Sequence, residues 1–104
     1  MKRLIDRKLY DTDQAEQITR YAPNTYRGDF NYLIETLYKT PDGEYILHCE
    51  GGAATEYAKP CDGGGKTSGE ELNVLDEEAV LDWCEHRQID GSIVVAEFEH
   101  LIET

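Results

Sequence analysis

Within Asp29–Gly52, DFNYLIETLYKTPDGEYILHCEGG, two segments rich in Tyr, Ile, Leu and Thr are joined at Thr40-Pro41-Asp42-Gly43. Pro41 presets φ for a type I turn and Gly43 supplies the left-handed residue that follows it, so this stretch predicts a β-hairpin. With Thr40 facing Glu44, the register pairs Tyr38 with Ile46, Leu37 with Leu47, Thr36 with His48 and Glu35 with Cys49. Each face of the hairpin then carries apolar cross-strand contacts, so both faces need at least partial cover. Whatever else the chain does must be arranged around that demand.

The remaining segments are shorter. Lys2–Tyr10 carries Leu4, Ile5, Leu9 and Tyr10 among charges and predicts one edge strand. Asp11 and Asp13 offer capping side chains, and Ala15, Ile18 and Ala22 recur at helical spacing before Pro23, which predicts a helix over residues 12–21. Thr55–Ala58 suits a further short strand, residues 60–69 a polar glycine-rich loop, and Leu72–Leu75 a brief strand. Asp76-Glu77-Glu78 opens a second helix over 76–87, with Ala79, Val80, Trp83 and Cys84 on its buried face and Leu75 and Val80 spaced for a hydrophobic staple. Val94, Phe98 and Leu101 keep helical spacing over 91–102, although the β-branched run Ile93-Val94-Val95 could equally open a strand. The fold class expected is α+β: a small antiparallel sheet centred on a hairpin at 29–50, packed with two to three short helices. At 104 residues the chain forms a single domain spanning 1–104.

No catalytic signature emerges. Gly65-Lys66-Thr67 ends like a phosphate-binding loop, but the glycine required five places before Gly65 is Pro60, which lacks the N–H such a cradle needs. Asp11-Thr12-Asp13 lacks the continuation of a calcium loop. Three histidines and three cysteines come without CxxC or HxxxH spacing, and Cys84 and His86 lie on diverging helix faces. Neither metal nor cofactor is expected, and an enzyme is not the expected class. The odd cysteine count suits reduced thiols and a cytoplasmic location, and no run approaches the roughly 20 apolar residues of a membrane span.

Charge is the bulk property that speaks to function. The net charge is −12, and its distribution is uneven: residues 1–28 carry six basic and four acidic side chains, residues 29–69 three and seven, and residues 70–104 one and eleven. A field of that sign argues against direct binding of nucleic acid or an anionic membrane and favours a basic protein surface as partner. Glu78, Asp82 and Glu85 stand one turn apart on the second predicted helix and are the leading partner-binding residues, followed by Glu70, Glu71 and Glu77. Tyr26 and Arg27, on a loop before the hairpin, are secondary candidates of the aromatic-plus-arginine kind common at recognition surfaces.

Three blocks carry a resemblance: KLYDTDQAEQI at 8–18; the 29–52 stretch followed by Glu56-Tyr57-Ala58; and GEELNVLDEEAVLDW at 69–83. Together they resemble a family of small acidic proteins from phages and mobile elements of Gram-positive bacteria, with the pattern KLYDT, DF-Y-E-LY-T-G, EGG-SKY and a late EEA-W helix. The chain departs from it at Thr55 and Glu56, where the family pattern has serine and lysine. The resemblance implies an association with anti-CRISPR loci and an inhibitor of a Cas effector nuclease. Such effectors hold guide RNA and target DNA in positively charged channels, where a polyanion can compete as a DNA mimic. Two other readings remain open from the residues: an acidic antitoxin or adaptor docking through Tyr26, Arg27 and the hairpin, and an inhibitor of another host nuclease such as a restriction enzyme.

Overall fold

A computed structural model of the chain, describing residues 1–103, is α+β and is built on the predicted hairpin. Strands β4 (Leu33–Lys39) and β5 (Tyr45–Gly51) pair antiparallel with Tyr38 opposite Ile46, Leu37 opposite Leu47, Thr36 opposite His48 and Glu35 opposite Cys49. The turn is closed by the Thr40 amide donating to the Glu44 carbonyl at 2.8 Å and the Gly43 amide to the Thr40 carbonyl at 2.9 Å. Gly43 sits at φ +84°, the left-handed conformation that a side chain would strain.

Two further strands complete a four-stranded antiparallel sheet, β3 (Glu16–Asn24) beside β4 and β8 (Gly69–Leu75) beside β5, in the order β3-β4-β5-β8. Period-two alternation sends Leu37, Tyr45, Leu47 and Cys49 to one face, where Val80, Trp83, Cys84 and Phe98 complete the main core. These last come from helices α1 (Glu77–His86) and α2 (Gly91–Phe98), the latter followed by a 3₁₀ turn at Glu99–Leu101. Val80 is fully buried and Phe98 nearly so, the Phe98 ring lying 5.2 Å from that of Tyr45. Each such side chain contributes about 1.5–3 kcal/mol by leaving water. The opposite face carries Ile46 and Leu72, covered by Tyr10 with Met1 and Ile5. Thus both hairpin faces are covered, one by helices and the other by the amino-terminal segment.

That segment departs from expectation. Lys2–Tyr10 is not one strand of the main sheet but a separate hairpin, β1 (Lys2–Ile5) against β2 (Lys8–Asp11). Asp6 at φ 50° and Arg7 at φ 67° form the two-residue turn. Positive φ at both positions matches the strand twist, and Asp-Arg carries none of the glycine that usually announces such a turn.

The helix expected at 12–21 is absent. Asp11 caps only a 3₁₀ turn, Thr12–Gln14, by accepting from the Asp13 amide at 3.0 Å, and the chain then extends as β3. Ala15, Ile18 and Ala22 do have helical spacing, but β4 offers a row of unpaired backbone groups and Ile18, Thr19 and Tyr21 suit a strand better than a helix. Pro23, expected to end a helix, lies instead within an edge strand, where its missing donor is tolerated.

Three smaller corrections concern the carboxyl-terminal half of the sheet. Thr55–Ala58 is a run of turns, not a strand, because Tyr57 is drawn inward to the core instead of pairing. The 60–69 loop contains a two-residue ladder, β6 (Lys59–Pro60) against β7 (Lys66–Thr67). The strand expected at 72–75 begins at Gly69, because the whole of β5 is available to pair with it.

Candidate functional site

Helix α1 divides its residues by face. Asp76 caps it, accepting from the Ala79 amide at 2.8 Å, and Val80, Trp83 and Cys84 turn into the core. Glu77, Glu78, Asp82 and Glu85 are left exposed. Glu77 lies 3.1 Å from His100 Nε2, whereas Glu78, Asp82 and Glu85 have no ion-pair partner among the described residues. The three span about 10 Å along the helix axis.

Among the described residues no lysine or arginine of the chain forms an ion pair with Glu78, Asp82 or Glu85. Lys8 pairs with Asp42 and Glu44, Arg27 with Glu50 and Lys39 with Glu97. Lys2, Arg3 and Arg7 lie on the amino-terminal hairpin, on the far side of the sheet from α1. Arg20, Lys59 and Lys66 form no ion pair among the described residues, and the face away from α1 also carries Glu50 and Glu70, so the α1 stripe is a local concentration of unpaired acid.

Glu70 and Glu71 do not join one surface. Neighbours on β8, they point to opposite faces. Glu71 lies opposite Cys49, on the helix side, and accepts from Asn73 Nδ2 at 3.1 Å. Glu70 is opposite Glu50 and lies 2.9 Å from His48 Nε2, on the side away from the helices. The sequence-derived set thus resolves into the stripe Glu78, Asp82 and Glu85, with Glu77 about 100° round the helix from Glu78 and paired with His100, Glu71 on the same side of the sheet, and Glu70 on the other.

The donor atoms of His48, Glu50 and Glu70 lie within 4.8 Å of one another, a trio of metal-ligating types that spacing alone did not reveal because it forms across two strands. Arg27 already engages both oxygens of Glu50 at 2.8 Å, so each carboxylate has a partner within the protein. That pairing holds Glu50 below the usual carboxylate range. Arg27, a secondary candidate for partner binding, is thereby half committed, and it also lies 5.6 Å from the centre of the Tyr32 ring. Tyr26 is 72% exposed, and Phe30, which the sequence did not single out, is 73% exposed on the same loop.

The deepest polar group is Glu35, 1% exposed beneath the helices. Its carboxylate accepts from Arg87 Nε at 2.7 Å, Arg87 Nη2 at 3.1 Å, Trp83 Nε1 at 3.0 Å and the Tyr57 hydroxyl. Burial alone would raise its pKa, but the hydrogen bonds from Arg87, Tyr57 and Trp83 outweigh that and hold it below the usual carboxylate range. The Arg87 guanidinium also sits 4.5 Å from the centre of the Tyr21 ring. One of the three blocks that carry the resemblance, residues 29–52 with Glu56-Tyr57-Ala58, supplies both Glu35 and Tyr57, and the block at 69–83 supplies Trp83. Those two blocks therefore meet at one buried node, a folding role, in which the block at 8–18 has no part.

The glycine pair of the EGG block has a similar explanation. A Cβ on Gly52 would lie 2.4 Å from the Phe30 carbonyl oxygen, where the loop before β4 is held by the Gly52 amide donating to the Tyr32 carbonyl at 2.9 Å. No protein-family model matches the chain, and neither a curated protein nor a solved structure shows significant similarity to it.

Proposed function

We propose that this chain is an inhibitor of the anti-CRISPR type, encoded by a phage or mobile element, which binds a basic nucleic-acid-binding surface of a Cas effector nuclease as an acidic ligand. The observation that carries the reading is the α1 stripe: Glu78, Asp82 and Glu85 stand exposed and without an ion-pair partner among the described residues, while the basic hairpin lies across the sheet. Carboxylates repeated along a rigid helix offer negative charge to lysines and arginines that otherwise hold phosphates, and a field of this kind steers association over long range. The resemblance of the three sequence blocks supports the same target class.

Cleavage of a plasmid target by a purified Cas9-type ribonucleoprotein, with and without the chain, tests this. The wild-type chain is expected to suppress cleavage, less so as salt rises. The triple variant Glu78→Lys, Asp82→Lys, Glu85→Lys is expected to restore it. Inhibition that survives the triple change removes the mimic reading.

Exposure of Tyr26 and Phe30 on one loop favours a second reading, an adaptor or antitoxin that docks through aromatic side chains. Its signature is reversed: Tyr26→Ala with Phe30→Ala abolishes binding, and the charge reversal does not.

A further inference from the structure

Helices α1 and α2 leave an open groove of about 500 Å³ between them, ending at Leu101 and Ile102. That volume is in the range of ligand sites. Its floor is apolar: Leu81 and Ile89 line it from the α1 side, and Val94 and Val95 from α2. Val95 is 37% and Leu101 43% exposed, so apolar surface is left in contact with water along the groove. Glu78, Asp82 and Glu85 line the same groove, and these are the carboxylates that lack an ion-pair partner among the described residues.

A surface that recognised only an array of cations would have no use for an apolar floor. A small apolar ligand would leave the carboxylate rim idle. A floor of aliphatic side chains with carboxylates along one edge is complementary to a segment that carries aliphatic side chains with lysines or arginines along one edge. Helical periodicity satisfies both requirements, because residues three and four apart share a face and the rim itself is spaced by four and three.

We infer that the α1/α2 groove, with Leu81, Ile89, Val95 and Leu101 as floor and Glu78, Asp82 and Glu85 as rim, docks a cationic amphipathic helix of a partner protein. The inference rests on reading the α1 stripe as the partner face and adds to it the kind of element the partner presents.

The test titrates the full chain with a labelled synthetic peptide of about five helical turns, leucines on one face and lysines flanking them, and with a scrambled peptide of the same composition. The amphipathic peptide is expected to bind at least about tenfold more tightly than its isomer, the scale set by one well-packed apolar anchor. Val95→Ser with Leu101→Ser, both at exposed positions, is expected to erase that preference without altering the Trp83 fluorescence of the folded chain. Charge reversal of Glu78, Asp82 and Glu85 is expected to weaken both peptides. Equal binding of the two peptides, or a preference that survives the serine pair, overturns the groove inference while leaving the acidic stripe intact. Indifference of both peptides to the charge reversal overturns the stripe reading too. Sedimentation of the unliganded chain as a dimer that the serine pair dissociates assigns the groove to a second copy and overturns the inference.

Discussion

Glu35 and Arg87 meet across 52 positions of the chain, with Arg87 Nε 2.7 Å from the Glu35 carboxylate. Arg87 is the one lysine or arginine among residues 70–104, and its side chain is directed into the core. The cation nearest in sequence to the acidic stripe is thus spent on a buried carboxylate, and the stripe keeps its charge.

Breaking that pair leaves an uncompensated buried charge. Arg87→Met is therefore expected to destabilise the chain by about 3–5 kcal/mol in urea unfolding, and the double variant Glu35→Leu with Arg87→Met to recover much of the loss. A double variant no better than the single one would show that shape, not charge, holds the site.

The same carboxylate makes stability depend on pH. Its folded-state pKa is depressed, so it contributes stability that is present above the unfolded value of about 4.3 and is lost as pH falls through the lower folded value. Urea midpoints measured from neutral pH downward should fall in that acid range, and Glu35→Gln, less stable at neutral pH, should fall less steeply. Asp29, Glu44, Glu50 and Asp90, also depressed, leave the variant some residual slope.

The stripe on α1 has a cost. Glu78 and Asp82 stand at i and i+4, Asp82 and Glu85 at i and i+3, and like charges so placed destabilise a helix by about 0.2–0.5 kcal/mol per pair. Asp82→Asn with Glu85→Gln should raise the melting temperature, and adding Glu78→Gln, whose charge the helix N-terminus favours, should abolish partner binding. A neutralised variant that keeps both binding and its inhibitory effect contradicts the proposed function.

The amino-terminal hairpin turns at Asp6 and Arg7, both with positive φ. Asn and Gly are the residues that suit those two positions. Asp6→Asn with Arg7→Gly should stabilise the chain by about 0.5–1 kcal/mol, a net figure after the added freedom of the unfolded glycine is subtracted. Unchanged or lower stability would contradict the two-residue turn.

Thiol reactivity reports the packing directly. Cys61 is exposed, whereas Cys49 and Cys84 are buried. Burial pushes the Cys49 thiol up to about 12, far from the thiolate needed for attack. Under native conditions Ellman's reagent should titrate one thiol rapidly, and all three after unfolding.

Where local chemistry is decisive, the amino-acid order alone determined the outcome. The turn at Thr40–Gly43 has one low-energy geometry for Pro and Gly in that order, so the β4–β5 register follows to the residue. Asp76 and the Val80, Trp83, Cys84 periodicity likewise announce α1, and with it the positions of Glu77, Glu78, Asp82 and Glu85. The identity of Glu78, Asp82 and Glu85 as one exposed stripe was legible for the same reason.

Residues 12–24 and the node at Glu35 were decided elsewhere. A helix over 12–21 satisfies its own backbone, but the open edge of β4 rewards an extended chain with partners that no local rule can count. Glu70 and Glu71, adjacent in sequence, part company because a strand alternates its faces. Glu35 has polar partners at 22, 48 and 52 positions' remove, and the α1/α2 groove exists only once Leu81 and Val95 share a wall. Separations of that length leave no periodicity to read, so only the packing of the sheet against its helices could bring those groups together.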